Sequence, residues 1–199
     1  MAPKQSITKE EIIEAAFAIV RQKGMSSLTA RNIAKKLGIS TRPVYSHFSS
    51  MKDLQKEARS KARELMLAYV AKPYTNCAFL NMGTGATFFA RDHKALYKLL
   101  FMENKDFKDL VKEFHFDLRR QMKKDERFTR MTQQERDDLL NKMWIFTHGL
   151  ASFICVGLIE DDSDFFIIKT MDQVGSAVVA ATVKKSLNHS TVSKRRSHG

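Results

Sequence analysis

Apolar positions recur along this chain at the three-to-four-residue spacing of helices, and no stretch alternates at the two-residue spacing of a strand. The first stripe, Ile12, Ile13, Ala16, Phe17, Ile19 and Val20, belongs to a helix that Thr8 and Glu11 open at capping-box spacing and Gly24 closes. Ile7 and Ile12 stand where two apolar side chains staple a helix start. A second stripe runs over 28–37, with Thr29 as its cap and Leu28 and Ile33 placed to close over its first turn. Gly38 follows where the chain leaves the helix. Ser40 or Thr41 then caps a third helix over about 41–48, with Pro43 in its first turn, where a missing N–H removes no intrahelical bond. Ala34, Gly38 and Val44 supply a small crossing residue, a tight turn and an inward β-branched side chain. Two short helices joined in this way predict a helix-turn-helix.

The fourth helix starts near Ser50, carries Asp53 in its first turn, and continues through Leu54, Ala58, Leu65 and Ala68 to a stop before Pro73. From Tyr74 onward aromatics become heavier and stripes predict helices over about 76–91, 93–102, 105–124, 132–159 and 163–186. Thr132 and Glu135 form another capping box, and Ser163 is a fitting cap after Glu160, Asp161 and Asp162. The expected fold is all-α, with about nine helices. Its expected parts are a helix-turn-helix domain at 1–50, a connecting helix at 51–73, a second helical domain at 74–187 and a polar tail at 188–199. The tail, with Lys194, Arg195 and Arg196, is expected to be disordered and to add non-specific affinity for DNA, and residues 1–6 to form a loose basic arm.

Composition narrows the partner. With 199 residues the chain can bury a real core. Its formal charge of +12 favours a polyanion, and the helix-turn-helix selects double-stranded DNA over an anionic membrane. Cys77 and Cys155 match no metal or CxxC spacing and read as buried thiols in a reducing cytoplasm. No apolar signal segment opens the chain, and the uncharged run 144–159 is short for a membrane span, so a buried interface helix is expected there. No GxSxG, HExxH, Walker loop, Rossmann glycine pattern or metal cluster occurs, which argues against an enzyme and against any cofactor.

The outward residues of the third helix, Thr41, Arg42, Tyr45, Ser46 and His47, can donate to phosphates or meet base edges, and no acid occurs between Ala30 and Lys52. Over 7–54, and through LTARNIAKKLGIS followed by PVYSHF above all, the chain resembles the TetR (tetracycline-repressor-like) family of bacterial transcriptional regulators. The resemblance implies a phosphate contact from Tyr45 and a major-groove approach by Thr41 and Arg42, with Ser40 and Pro43 at the same helix end. It also implies backbone contacts from Thr29, Ala30 and Arg31. It further implies a phosphate-binding Lys at position 51, where this chain has Met51; Lys52 is the nearest substitute.

The second domain carries enough aromatics to line a ligand pocket, with Phe88, Phe89, Phe101, Phe107, Phe114 and Trp144 as walls and Thr147 and His148 as polar handles. WIFTHGLA, residues 144–151, resembles a Trp-to-His-Gly signature of one TetR subgroup. The last two helices are apolar on more than one face, which predicts a four-helix homodimer interface through Phe146, Gly149, Phe153, Gly157, Phe166, Ile167, Val174 and Val178. A dimer presents two recognition helices to half-sites about 34 Å apart and so expects a palindromic operator. The expected function is a dimeric repressor released by a small apolar or aromatic effector. The alternative is a DNA-binding regulator without an inducer, controlled by a partner or by abundance, its aromatics being core only.

Overall fold

A computed structural model describes residues 7–103, 107–123, 126–129 and 131–196, and within them all side chains except those of 107–110, 113, 114, 117, 121, 127 and 184–196. The basic arm expected at residues 1–6 lies outside the described residues. Among those described there are nine α-helices and no strand: α1 Lys9–Lys23, α2 Ala30–Leu37, α3 Arg42–His47, α4 Met51–Val70, α5 Ala78–Asp92, α6 Lys94–Tyr97, α7 Phe107–Met122, α8 Gln133–Val156 and α9 Asp164–Arg196. They form two compact units, a head of Met1–Ala68 with His93–Asn104 and a body of Tyr69–Asp92 with Lys105–Gly199. The boundary therefore differs from the expected cuts at 50 and 73: residues 93–104 belong to the head although body segments flank them in sequence.

In the head, α1 is the frame. Thr8 accepts from the Glu11 amide at 3.1 Å while the Glu11 carboxylate accepts from the Thr8 amide at 2.8 Å, so the capping box closes both ways. Ile12, Ala16, Ile19 and Val20 are buried on the face that meets α2 and α6, the Ile and Val side chains each stabilising the fold by roughly 1.5–3 kcal/mol if fully buried. Gly38 adopts φ 66°, ψ 32°, a left-handed conformation that turns the chain from α2 into α3 without a Cβ penalty. Val44 and Phe48 then point inward and are almost fully buried.

The sequence over 93–102 predicts one helix, but the structure breaks it into α6 and a π-type turn at Lys98–Met102. Leu99 and Leu100 are consecutive and both buried, and the wider turn lets neighbouring side chains face the same core.

In the body, α5 packs against α8, α9 and α7, and α8 packs against α7 and α9. Phe88, Phe128, Leu139, Leu140, Leu150 and Ile167 form the heart of one apolar cluster. Gly85 makes this packing possible: a Cβ there would lie 2.3 Å from the Tyr69 carbonyl oxygen, so only a residue without a side chain lets the backbones approach. Arg91 closes the far end, its Nη1 donating to the Asp162 carbonyl at 3.0 Å and to Asp164 at 2.6 Å. By length and composition α8 and the apolar part of α9 could each cross a membrane; here they pack against α5 and each other. The Ser163 hydroxyl accepts from the Phe166 amide at 3.2 Å, as the sequence reading expects of a cap. From there α9 continues to Arg196, beyond the start of the expected tail, because neither Pro nor Gly interrupts 176–196.

Candidate nucleic-acid interface and effector site

The helix-turn-helix presents a polar face by burying its other one. Thr29 accepts from the Asn32 amide at 3.1 Å, and the Asn32 side chain donates to the Ser27 carbonyl at 2.8 Å, so the start of α2 is doubly held. Arg31, Lys35, Lys36, Ser40, Thr41, Arg42 and Tyr45 are exposed, and Pro43 is half-buried in the first turn of α3. Ala30, the first residue of α2, has its methyl group buried, so what it can offer an anion is its backbone N–H. Thr41 occupies the cap position of α3 but makes no side-chain cap bond, so neither of the two expected caps, Ser40 or Thr41, closes that helix end.

Two further expected DNA donors are already engaged. The Ser46 hydroxyl donates back to the carbonyls of Arg42 and Pro43 at 3.2 and 3.0 Å, which leaves only lone pairs toward a phosphate. The His47 Nε2 is 3.0 Å from the carbonyl of Ile7. Lys52 is exposed in the first turn of α4. Beside it Asp53 accepts from the hydroxyls of Ser50 and Ser49 at 2.8 and 3.0 Å, and these bonds hold its carboxyl below the usual carboxylate range. The exposed part of the face thus carries cations, with its one neighbouring acid spent as a helix cap.

The body gathers some of the expected pocket residues and disperses others. Trp144 meets two imidazoles, His148 at a ring-centroid distance of 4.3 Å with the planes tilted by 57°, and His115 at 5.3 Å edge-to-face at 78°. Burial pushes His148 down to about 4. It also lowers His115, with Arg119 acting in the same direction and Asp137 opposing. Both rings are therefore neutral near pH 7. The Nε2 of His115 is buried without a hydrogen-bond partner, as are the Thr84 hydroxyl and the Tyr74 hydroxyl. Burial, followed by the neighbouring Tyr69 and Asp92, pushes Tyr74 up to about 12. Thr147 borders α5, its Oγ1 3.1 Å from where a Cβ on Gly83 would be.

The remaining aromatics divide. Phe88 is held between the Tyr74 ring at 4.9 Å and the Arg91 guanidinium at 4.6 Å, and Phe89 is fully buried against Tyr69, so both are core rather than open walls. Phe101 belongs to the head, where it meets Tyr97 at 4.9 Å. The side chains of Phe107 and Phe114 lie outside those described. Sequence reasoning missed His115, Thr84 and Tyr74, since the pairing of α7 and α5 with α8 leaves no trace in local spacing. An open groove of about 550 Å³ lies elsewhere in the body, lined by Thr75, Cys77, Leu80, Phe165, Lys169 and Asp172. Among the described residues no His, Cys, Asp and Glu side chains group as a metal site.

The expected pairing residues also sort by exposure. Ile167 is fully buried inside the protomer and leaves no surface for a partner. Phe146, Phe166, Val174 and Val178 are half-buried, and Gly157 caps the end of α8. What remains outward is Ile145, Gly149, Phe153 and Val156, with Ile145 72% exposed. The expected set shares Gly149 and Phe153 with this face and differs at its ends, Phe146 and Gly157 standing where the exposed side chains are Ile145 and Val156, because α8 is apolar nearly all round and periodicity alone does not fix its phase.

Residues 12–58 match the family model described as bacterial regulatory proteins, tetR family. No curated protein matches the chain. The match spans the end-to-end run from the buried stripe of α1 to Ala58 of α4, which includes both helices of the helix-turn-helix and its glycine turn. Over these residues the head is similar to the DNA-binding domain of that family, which makes the chain a DNA-binding transcriptional regulator.

Proposed function

We propose that the chain is a cytoplasmic homodimeric repressor that leaves a palindromic operator when a small, flat, apolar effector enters the body beside Trp144. The observation that carries this reading is the Trp144 cluster, with a buried and unpartnered nitrogen on one of its two imidazoles. Buried polar atoms are nearly always hydrogen-bonded, so an orphan beside an indole calls for a partner. Neutral imidazoles favour an uncharged aromatic molecule with one polar group, a donor or an acceptor according to the His115 tautomer, over an anion. Trp144, His148 and Gly149 also carry the likeness to the Trp-to-His-Gly subgroup.

Pairing through α8 accounts for the outward stripe. Ile145, Gly149, Phe153 and Val156 share one helix face, and nothing lies within 4 Å of where a Cβ on Gly149 would be. That notch between large apolar side chains suits a knob from a second copy. The chain passes between head and body at 68/69, 92/93 and 104/105, so a change in the body is tied covalently to the head at each of these points. A differential effector affinity of roughly 1–3 kcal/mol is enough to release DNA.

The test begins with selection of bound fragments from random duplex DNA, followed by titration of the selected site with an uncharged aromatic dye. A palindromic consensus, with dye binding that quenches the single Trp144 and weakens operator affinity, supports the whole reading. Operator binding unaffected by the dye, with Trp144 emission unchanged, favours the alternative of control by a partner or by abundance. In the same assay Trp144→Ala is expected to abolish the dye response while sparing most of the affinity for DNA.

A further inference from the structure

We propose that His47 is a positioning residue: its imidazole ties the last residue of α3 to the chain entering α1, and this tie, rather than a contact with DNA, is its contribution to operator binding. The inference rests on the reading of α3 as the recognition helix. That helix has six residues, too few to be stable alone. Its first end lacks a side-chain cap bond. Val44 and Phe48 bury one face, but two apolar anchors leave rotation about their common line free. His47 supplies a third point, 40 residues away in sequence, with its Nε2 3.0 Å from the Ile7 carbonyl.

The chemistry fixes the direction of this bond. A carbonyl oxygen only accepts, so Nε2 carries the proton and is the donor. With Nε2 spent on Ile7, the ring is oriented by the protein's own backbone before any DNA arrives. The same junction has a second tie on the same side. Lys9, two residues beyond Ile7, has its Nζ 5.4 Å over the Phe48 ring and 3.9 Å from Glu57 of α4. Thus the start of α1 holds the end of α3 and the beginning of α4 together, and the His47 bond sets the angle at which Arg42 and Tyr45 leave the head.

The experiment compares His47→Ala with His47→Gln, whose side-chain amide reaches the Nε2 position and can donate to the same carbonyl. Measured on the selected operator, the Ala variant is expected to lose roughly five- to tenfold in affinity, the scale of one hydrogen bond, and the Gln variant to recover most of it. Without DNA, amide exchange at Glu11 and Ile12 in the first turn of α1 is expected to quicken in the Ala variant and return in the Gln variant. Unchanged exchange in DNA-free His47→Ala, together with an affinity loss that Gln does not recover, overturns the proposal in favour of a direct contact. Arg42→Ala runs alongside: if that variant also binds normally, α3 is not the recognition helix, and the proposal falls with that reading while the exchange result still reports the tie.

Discussion

The helix-turn-helix and the body of this chain treat polar groups in opposite ways. Around the helix-turn-helix, Thr29, Asn32, Ser46, Ser49 and Ser50 spend their side chains on caps and backbone, and His47 is bonded to a carbonyl. What the head offers to solvent is a rigid frame with a few uncommitted cations and one phenol. The body buries His115, Thr84 and Tyr74 with hydrogen-bonding atoms unmet, while in the head such an atom, Nη1 of Arg59, lies in α4, outside the helix-turn-helix. An interface for a large, charged, invariant partner such as the DNA backbone can be prepaid locally, within one or two turns. A site for a small molecule must keep its polar atoms unspent until the ligand arrives.

The contrast is easiest to break at Gly85, where the largest effect is expected. Gly85→Ala drives a Cβ to 2.3 Å from the Tyr69 oxygen and 2.7 Å from its carbonyl carbon, both backbone atoms that cannot rotate away. Body stability, followed through Trp144 fluorescence in urea, should fall by about 3 kcal/mol, the upper end of overpacking costs. Amide exchange in α2 and α3 should hardly change if the head is held by its own caps. Loss of protection in both units together would show that the head is not independently held.

The pH dependence of the body comes next. His148 sits at about 4 in the folded chain against 6.5 for a free imidazole, because burial disfavours its charged form. Between these values the unfolded chain binds a proton that the folded chain does not, so stability rises with pH across the window. It is complete above about 6.5 and is lost as pH falls toward 4, by up to about 3 kcal/mol. His115 is lowered too and acts in the same direction. His148→Gln should flatten the stability profile over this range. Parallel profiles for the two proteins would mean that His148 is hydrated in the folded state and does not belong to a closed site.

The same contrast explains what could be read from the sequence. Caps, the Gly38 turn, Pro43 and the inward Val44 act over one to four residues, so the helix-turn-helix was legible almost residue by residue, and the family match falls on the same stretch. The body depends on pairings between helices far apart in sequence. Phe88 and Phe89 look like pocket walls because aromatic content does not tell a core from a cavity, while His115 meets Trp144 only once α7 lies on α8. A long-range tie is equally invisible in local spacing: His47 is exposed as expected, and its Nε2 lies 3.0 Å from the carbonyl of Ile7, 40 residues away.

Two substitutions in the head sharpen the distinction between positioning and reading, in decreasing order of effect. Arg42 is exposed at the start of α3, where a guanidinium can span two acceptors on a guanine edge. Arg42→Ala should therefore cost about 1–3 kcal/mol in operator affinity and relax the base preference within each half-site. Retained selectivity in a competition between operator and mismatched duplexes would show that another residue reads the bases.

Tyr45 is 59% exposed one turn further along α3, and its hydroxyl is the group a phosphate would accept from. Tyr45→Phe removes that donor and keeps the ring, so the expected cost is smaller, about 1 kcal/mol. It should be the same for operator, mismatched and unrelated duplexes, because every sequence presents the same phosphates. A neutral hydroxyl releases no counterion, so the slope of affinity against salt should stay that of the unaltered protein, whereas Lys52→Ala should lower it by about one. If Tyr45→Phe instead discriminates among sequences, the phenol touches a base, and α3 lies deeper in the groove or rotated from the angle at which Arg42 leads.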